Sequence, residues 1–255
     1  MKKLSILLFI LVSSISSGQQ NDFDELLDLF EEHKKSIPQE LASKYFNFKP
    51  DKRFGDLLTD KVVLKTDNFI ALSTHLDCFA GGMCQSSTLT TFDLNGNRIS
   101  ETAFESEMAD CSFQSSRELI FKSEDLIVIK NIEIEEDCSG ETDFRKEELI
   151  LEFKSLDSIG NFGYSKYQKI DLRRDHPYSS FKLFSKKDLQ LMKKENLPII
   201  RNEIFAAYGY EFKSKKWQDF FSKKVWYKPI SNDVTDKLSI IEKRNVELIT
   251  ELEKK

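Results

Sequence analysis

Histidine is scarce, three in 255 residues, and none of the three stands in a spacing that catalysis or metal binding uses. His33, His75 and His176 are far apart, and the chain contains no H-E-x-x-H, G-x-S-x-G or G-x-x-x-x-G-K-[ST]. Each histidine is read as structural or solvated. No C-x-x-C occurs among the four cysteines, so zinc is disfavoured, and no metal or cofactor is expected. Long apolar runs are also missing. The one that stands out, Leu4 to Val12, is too short for a spanning helix, which needs about 20 residues.

That run has a different use. Lys2 and Lys3 precede it and Ser16-Ser17-Gly18 follows it, the order of a secretory signal, so residues 1–18 are read as a leader. Gln19 follows the cut, not the cysteine a lipid anchor requires. A soluble periplasmic or extracellular protein without a transmembrane anchor is expected. Cys78, Cys84, Cys111 and Cys138 are an even set in such a chain, which favours disulfides. Four cysteines permit three connectivities; if the runs on either side of Glu124 form a hairpin, Cys111 meets Cys138, and by the same argument Cys78 meets Cys84 across Gly81-Gly82.

Charge divides the chain. From Tyr178 onward 17 basic residues face 11 acidic ones, a net of +6, whereas residues 19–177 carry a net of −13. Two domains, 19–177 and 178–255, fit this asymmetry. In the first, Phe23, Leu26, Leu27 and Phe30 give a helical stripe over 21–35, and a second short helix from Pro38 buries Leu41 and Tyr45. From Lys61 to Ile170 the period becomes two: Ile70, Leu72, Thr74 and Leu76 alternate with Phe69, Ala71, Ser73 and His75. Asn95-Gly96 is a hairpin signal, both residues tolerating positive φ. Asp67-Asn68-Phe69-Ile70 is echoed by Glu124-Asp125-Leu126-Ile127, and Asp77-Cys78 by Asp137-Cys138, an offset of about sixty that suggests a duplicated four-strand unit. The fold class is α+β: an N-terminal helix, an antiparallel meander or small sandwich of about eight strands, then a small helical domain.

In the second domain Pro198 starts a helix whose buried face is Ile200, Ile204, Ala207 and Tyr208, and Gly209 ends it, with Tyr210 reaching back onto Phe205. Ser214 caps a short helix bearing Trp217, Phe220 and Phe221. Ser239 and Glu242 form a capping box for a last helix with Ile241, Leu248, Ile249 and Leu252 inside, and Ser185 and Asp188 a weaker one. Leu197, Arg201-Asn202-Glu203-Ile204, Ala206, Gly209-Tyr210, Phe212, the Phe221 to Trp226-Tyr227 spacing and the Leu238 to Asn245 segment resemble the YARHG domain, a small bacterial extracellular module without an assigned activity. Where that family has Tyr, Arg and His in its naming motif, this chain has Phe205, Ala207 and Tyr208. The resemblance leaves Arg201, Asn202, Tyr210, Trp226 and Tyr227 as candidate ligand-binding residues.

The chemistry that remains is modest. Glu133, Glu135, Glu136, Asp137, Glu141 and Asp143 crowd one loop, but match no defined calcium spacing and are read as an acidic strand end. Lysines 213, 215, 216, 223, 224 and 228 interleave with aromatics and are read first as a solvated rim around an aromatic core; export argues against nucleic acid, and the alternative is an anionic envelope polymer or an exported protein as partner. A non-catalytic envelope binding or interaction protein is the expectation. A glycan or peptide hydrolase using carboxylates of the β domain is the alternative.

Overall fold

A computed structural model describes residues 22–49, 54–78, 84–109, 112–139 and 141–254. The expected leader, the Gly81-Gly82 loop and Cys111 lie outside them. The chain divides into two compact units, one of residues up to Glu147 with Glu152–Lys166, the other of Glu148–Leu151 with Tyr167 onward.

The first unit opens on helix α1, residues 22–29, and α2, Gln39–Phe46. The helix expected over 21–35 is shorter because the chain turns at 30–34, Lys34 taking φ 58°, to hydrogen-bond along the first strand. Lys34 N–H donates to the Thr59 carbonyl at 2.8 Å and Ile37 N–H to that of Leu57 at 2.9 Å. His33 therefore sits in this turn, its Nδ1 3.1 Å from the Asp60 carbonyl, and not on a helix.

Eight strands follow: β1 Phe54–Lys65, β2 Phe69–Cys78, β3 Cys84–Asp93, β4 Arg98–Ala109, β5 Phe113–Lys122, β6 Leu126–Glu136, β7 Arg145–Leu156 and β8 Phe162–Ile170, hydrogen-bonded in sequence order as one antiparallel meander. The period-two pattern of β2 shows why the run carries apolar residues at successive positions. Ile70 and Leu72 join Phe23, Leu26, Leu41, Tyr45 and Phe92 under the helices, while Phe69 and Ala71 point the other way, into a cluster with Leu89, Phe104, Ile127, Ile129 and Leu156. Both faces of the strand are covered, so both parities are apolar. Each fully buried phenylalanine contributes about 1.5–3 kcal/mol by leaving water.

The second cluster joins residues of β1–β4 to residues of β6 and β7. The meander therefore folds over on itself, and the bend is at β4–β5, where the described pairing is confined to four rungs, from Ser106↔Arg117 to Ala109↔Gln114. The two halves are built alike. Thr66 donates to the Phe69 carbonyl through its N–H and hydroxyl, at 3.0 and 3.1 Å, as Ser123 does to that of Leu126, at 2.7 and 3.2 Å. At the β3–β4 and β7–β8 corners the likeness is closer. Asp93 accepts from the N–H of Asn95 and Asn97 and from the Asn97 side chain, and Asp157 from Ile159, Asn161 and the Asn161 side chain. Gly96 and Gly160 take φ 81° and 93°. Of the Asn95-Gly96 pair only the glycine adopts positive φ, because the connection is a longer loop closed by a left-handed glycine, not a two-residue turn.

All four of these turns lie at one end of the sheet, and Cys78, Cys84 and Cys138 lie at the other, at the end of β2, at the start of β3 and just past β6. The β2–β3 register, Phe69↔Asp93 to Asp77↔Gln85, sets Cys78 opposite Cys84 when continued by one rung. In β5–β6, Phe113↔Glu135 is extended by Glu136 N–H donating to the Ser112 carbonyl at 3.1 Å, which carries the ladder to the residues before Cys138.

In the second unit, the helices are α3 Lys186–Gln190, α4 Leu197–Ala207, α5 Lys215–Phe221 and α6 Ile240–Glu253. Both capping boxes form, at Ser185/Asp188 and Ser239/Glu242. Ser214 precedes α5 without a side-chain cap bond. Gly209 ends α4 at φ 77°, Tyr210 N–H returns to the Phe205 carbonyl at 3.2 Å, and the two rings lie 5.9 Å apart.

Two outcomes follow from the loop geometry. A methyl at Gly96 falls 2.6 Å from Phe23 Cγ, and one at Gly160 2.9 Å from Phe69 Cγ, on top of the positive φ. Gly96→Ala and Gly160→Ala should each lower the stability of the unit by about 1–3 kcal/mol in urea unfolding. The Asp93 and Asp157 loops also set an acid limit. Burial raises the Asp93 pKa, but donation from the Asn97 side chain and the two N–H groups outweighs it; Asp157 is lowered by the Asn161 side chain and the same kind of backbone donors. A folded pKa below the unfolded one gives stability that is complete above about pH 4 and lost as pH falls through the folded value. The melting temperature should drop in this acid range, with a shallower slope in Asp157→Asn.

Candidate functional site

In the second unit the helix stripes differ from their simplest reading. On α4 the buried positions are Leu197, Ile200, Asn202, Glu203, Ile204 and Ala206, with Ala207 exposed; on α6 they are Ile241, Glu242, Asn245 and Ile249. Two glutamates and an asparagine thus stand where an apolar face was expected, with Glu203, Glu242 and Asn245 at 0 % exposure. Burying a carboxylate costs several kcal/mol unless charge or hydrogen bonds answer it, and here both oxygens of each glutamate are bonded.

Glu203 Oε1 accepts from Arg174 Nε at 3.3 Å and from the His176 N–H at 2.7 Å; Oε2 lies 3.0 Å from His176 Nδ1. An ionised carboxylate only accepts, so Nδ1 carries the proton. The remaining arms of Arg174, itself buried, donate to Ser180 Oγ at 2.8 Å and Ser179 Oγ at 3.1 Å. Ser180 Oγ in turn donates to Glu242 Oε1 at 2.6 Å, while Glu242 Oε2 accepts from Tyr208 OH at 2.6 Å and from the Ser239 N–H at 2.9 Å. Burial, and then the charge of Glu242, push the Tyr208 phenol far above its ordinary value, so it stays a donor there while accepting from Gln168 Nε2 at 2.6 Å. Asn245 closes the set through the Phe184 N–H and the carbonyls of Ser179 and Lys182.

The candidate residues read from the resemblance are divided by the structure. Tyr210, Trp226 and Tyr227 pack together around Phe212 and Phe221, with Tyr227 OH donating to the Tyr210 carbonyl at 2.7 Å. Arg201 instead pairs with Glu253 of α6. Asn202 is 9 % exposed, and its Nδ2, like Trp226 Nε1, is buried without a protein partner. The lysine rim is partly engaged: Lys216 Nζ stands 4.8 Å over Trp217, Lys224 Nζ reaches Asp175 at 2.5 Å, and Lys215 pairs with Asp219 at 2.8 Å.

In the first unit the acidic loop organises itself. Asp137 accepts from the hydroxyls and N–H groups of Ser139 and Thr142, which, the Ser139 hydroxyl foremost, hold its carboxyl well below the ordinary range. Glu136 pairs with Arg145. Among the described residues no cluster of His, Cys, Asp and Glu is suited to a metal.

One concave feature of this unit lies beside the Ser106↔Arg117 rung, where the described β4–β5 ladder ends. A cleft of about 260 Å³ is lined by His75 and Ser87 from β2 and β3, Glu105, Ser106 and Glu107 from β4, and Ser116, Arg117 and Glu118 from β5. Arg117 is anchored from behind: its Nη2 donates to Glu152 Oε2 at 2.8 Å, and Glu152, 7 % exposed, also accepts from Ser165 Oγ at 2.6 Å. Arg117 Nε is buried with no protein acceptor. His75 Nδ1 lies 3.2 Å from Ser87 Oγ. Neither the cleft nor the Arg174–Glu203 network was visible in the sequence as a site. The buried glutamates did leave a trace, since Glu203 falls three residues from Ile200 and Glu242 seven from Ile249 on otherwise apolar faces.

Residues 174–254 match the YARHG domain, a domain of exported proteins. No curated protein and no solved structure matches the chain. No helix among the described residues is long and apolar enough to cross a membrane.

Glu203→Gln removes the charge that answers Arg174, and should cost about 3–5 kcal/mol in chemical unfolding of the full chain. Arg201→Ala, which breaks the partly exposed pair with Glu253, should cost less than about 1 kcal/mol.

Proposed function

We propose that this chain, whose last third is a YARHG domain, is an exported, non-catalytic binding protein of the bacterial envelope. The observation that carries the reading is that match over residues 174–254. It is joined by the leader-like residues 1–18 and by the even cysteine set. In this reading residues 1–18 are removed, 19–177 form the acidic β domain, and 178–255 the basic module that holds an anionic envelope polymer or an exported protein. Arg201, Asn202, Tyr210, Trp226 and Tyr227 are its candidate contacts, Trp226 and Asn202 each offering a buried donor that the protein leaves unanswered. The cysteines pair as Cys78–Cys84 and Cys111–Cys138, which the strand registers support, and no cysteine is free among the described residues.

A second reading has one observation in its favour. Glu105, Glu107 and Glu118 line a single open cleft, the feature a carboxylate-dependent hydrolase of glycans or peptides requires.

Expression of the full chain in a Gram-negative host should place the mature protein outside the cytosol, lacking residues 1–18 and refractory to alkylation unless reduced. That protein should sediment with envelope fragments and be released by salt, since exposed charge pairing is screened. Recovery in the cytosol with reactive thiols, or no retention on envelope material, overturns the reading. Turnover of a glycan or peptide panel that is lost in Glu105→Gln or Glu107→Gln favours the hydrolase instead.

A further inference from the structure

The cleft between β4 and β5 belongs to neither the aromatic cluster nor the ionic network, and its lining has a definite chemical character. Three carboxylates and one guanidinium face it. Glu105 is matched by Lys61 at 3.3 Å, Glu118 by Lys130 at 2.6 Å, and Arg117 by Glu152 at 2.8 Å, with Lys154 3.4 Å from the same Glu152. Two of the three carboxylates thus have a lysine beside them, Lys61 being shared with Asp60 at 3.5 Å. An anion meets three carboxylates, and a cation finds two of them, Glu105 and Glu118, already paired with lysines. A neutral ligand bearing hydroxyls meets neither penalty. Each hydroxyl both donates and accepts, and the walls offer both functions side by side: Glu105 and Glu107 accept, Arg117 donates, and Ser87, Ser106 and Ser116 do either.

Arg117 is the group best placed to orient such a ligand. A nearly buried carboxylate fixes one of its ends, its Nε has no acceptor within the protein, and about a third of the side chain remains open to solvent. The volume, about 260 Å³, lies just below the ~300–1,000 Å³ of drug-sized sites and accommodates one ring. We propose that this cleft is a binding site for a single neutral saccharide unit, held by hydrogen bonds to Glu105, Glu107 and Arg117. The proposal deepens the envelope-binding reading by giving the acidic β unit its own ligand class, and it rests on that reading only for where the sugar is met.

The test is a titration of the isotope-labelled mature chain with glucose and N-acetylglucosamine, followed by amide shifts, with spermidine and citrate as charged comparisons. The sugars should move the amides of Ser87, Ser106 and Ser116, and Arg117→Met should weaken binding about tenfold. Because Glu107 is exposed, Glu107→Ala should fold normally and give a similar loss even if the Arg117 variant does not fold. Absence of sugar-dependent shifts at the cleft, or larger shifts with either charged probe, overturns the proposal. If the sugars fail while the protein still sediments with envelope material, the saccharide site falls alone. If they bind the cleft but envelope retention is absent, the proposed function falls and the site stands.

Discussion

A carboxylate cut off from water has to be answered by charge or by hydrogen bonds on every lone pair, and the helical module is arranged around two of them. Glu203 and Glu242 sit at 0 % exposure on different helices, and the segment 174–180 runs between them, donating to both through Arg174, His176 and Ser180. Coulomb attraction alone does not hold this arrangement, since desolvating the ions costs about as much as the pairing returns. Its effect is selective: any packing of α4 against α6 that displaces Ser180 or Tyr208 leaves a bare charge in the interior. That penalty is why segment 174–180 belongs with the helices although it precedes them by a loop.

What the sequence disclosed depended on whether the signal was local. Capping boxes, the Gly209 terminator and the Tyr210–Phe205 contact involve neighbours within a few residues, and all three appear as read. Strand register was legible because hairpins are local too; rungs such as Phe113↔Glu135 and Ser116↔Ile132 sit on the centre inferred from Glu124. The first helix was overestimated because its stripe continues to Phe30 while residues 34–37 gain more from bonding to β1 than from another helical turn. The Glu203 network was illegible for a different reason. Its partners lie 23 to 68 positions from one another across the two helices and segment 174–180, and a glutamate on a helix is ordinarily assigned to the solvated side.

The repeat within the β unit was visible as an echo of strand starts, but its strongest evidence lies in the corners. Asp93 to Asn97 and Asp157 to Asn161 share Asp at the first position, Gly at the fourth and Asn at the fifth, and the same set of bonds. Both glycines lie against a phenylalanine, Phe23 and Phe69. These two rings belong to different clusters, one beneath α1 and α2 and the other between the halves. Equivalent corners thus pack against unlike neighbours, so the halves share local geometry without sharing surroundings.

That asymmetry separates support from recognition along the length of the sheet. The end bearing the duplicated turns is tightly closed: Thr91 Oγ1 donates to the Gly160 carbonyl at 2.7 Å, and Asn68 Nδ2 to that of Ser158 at 3.0 Å, tying the halves together. Toward the cysteine end the inward-facing side chains change from Phe69, Ala71 and Leu89 to Ser73, His75 and Ser87 along the same strands. An apolar core that gives way to hydroxyls, carboxylates and a guanidinium cannot exclude water there. A unit closed at one end by interlocked turns and polar at the other has its concave, hydrogen-bonding surface on rigid strands and not on loops. Such placement favours recognition of a small ligand by preformed groups over binding by induced closure.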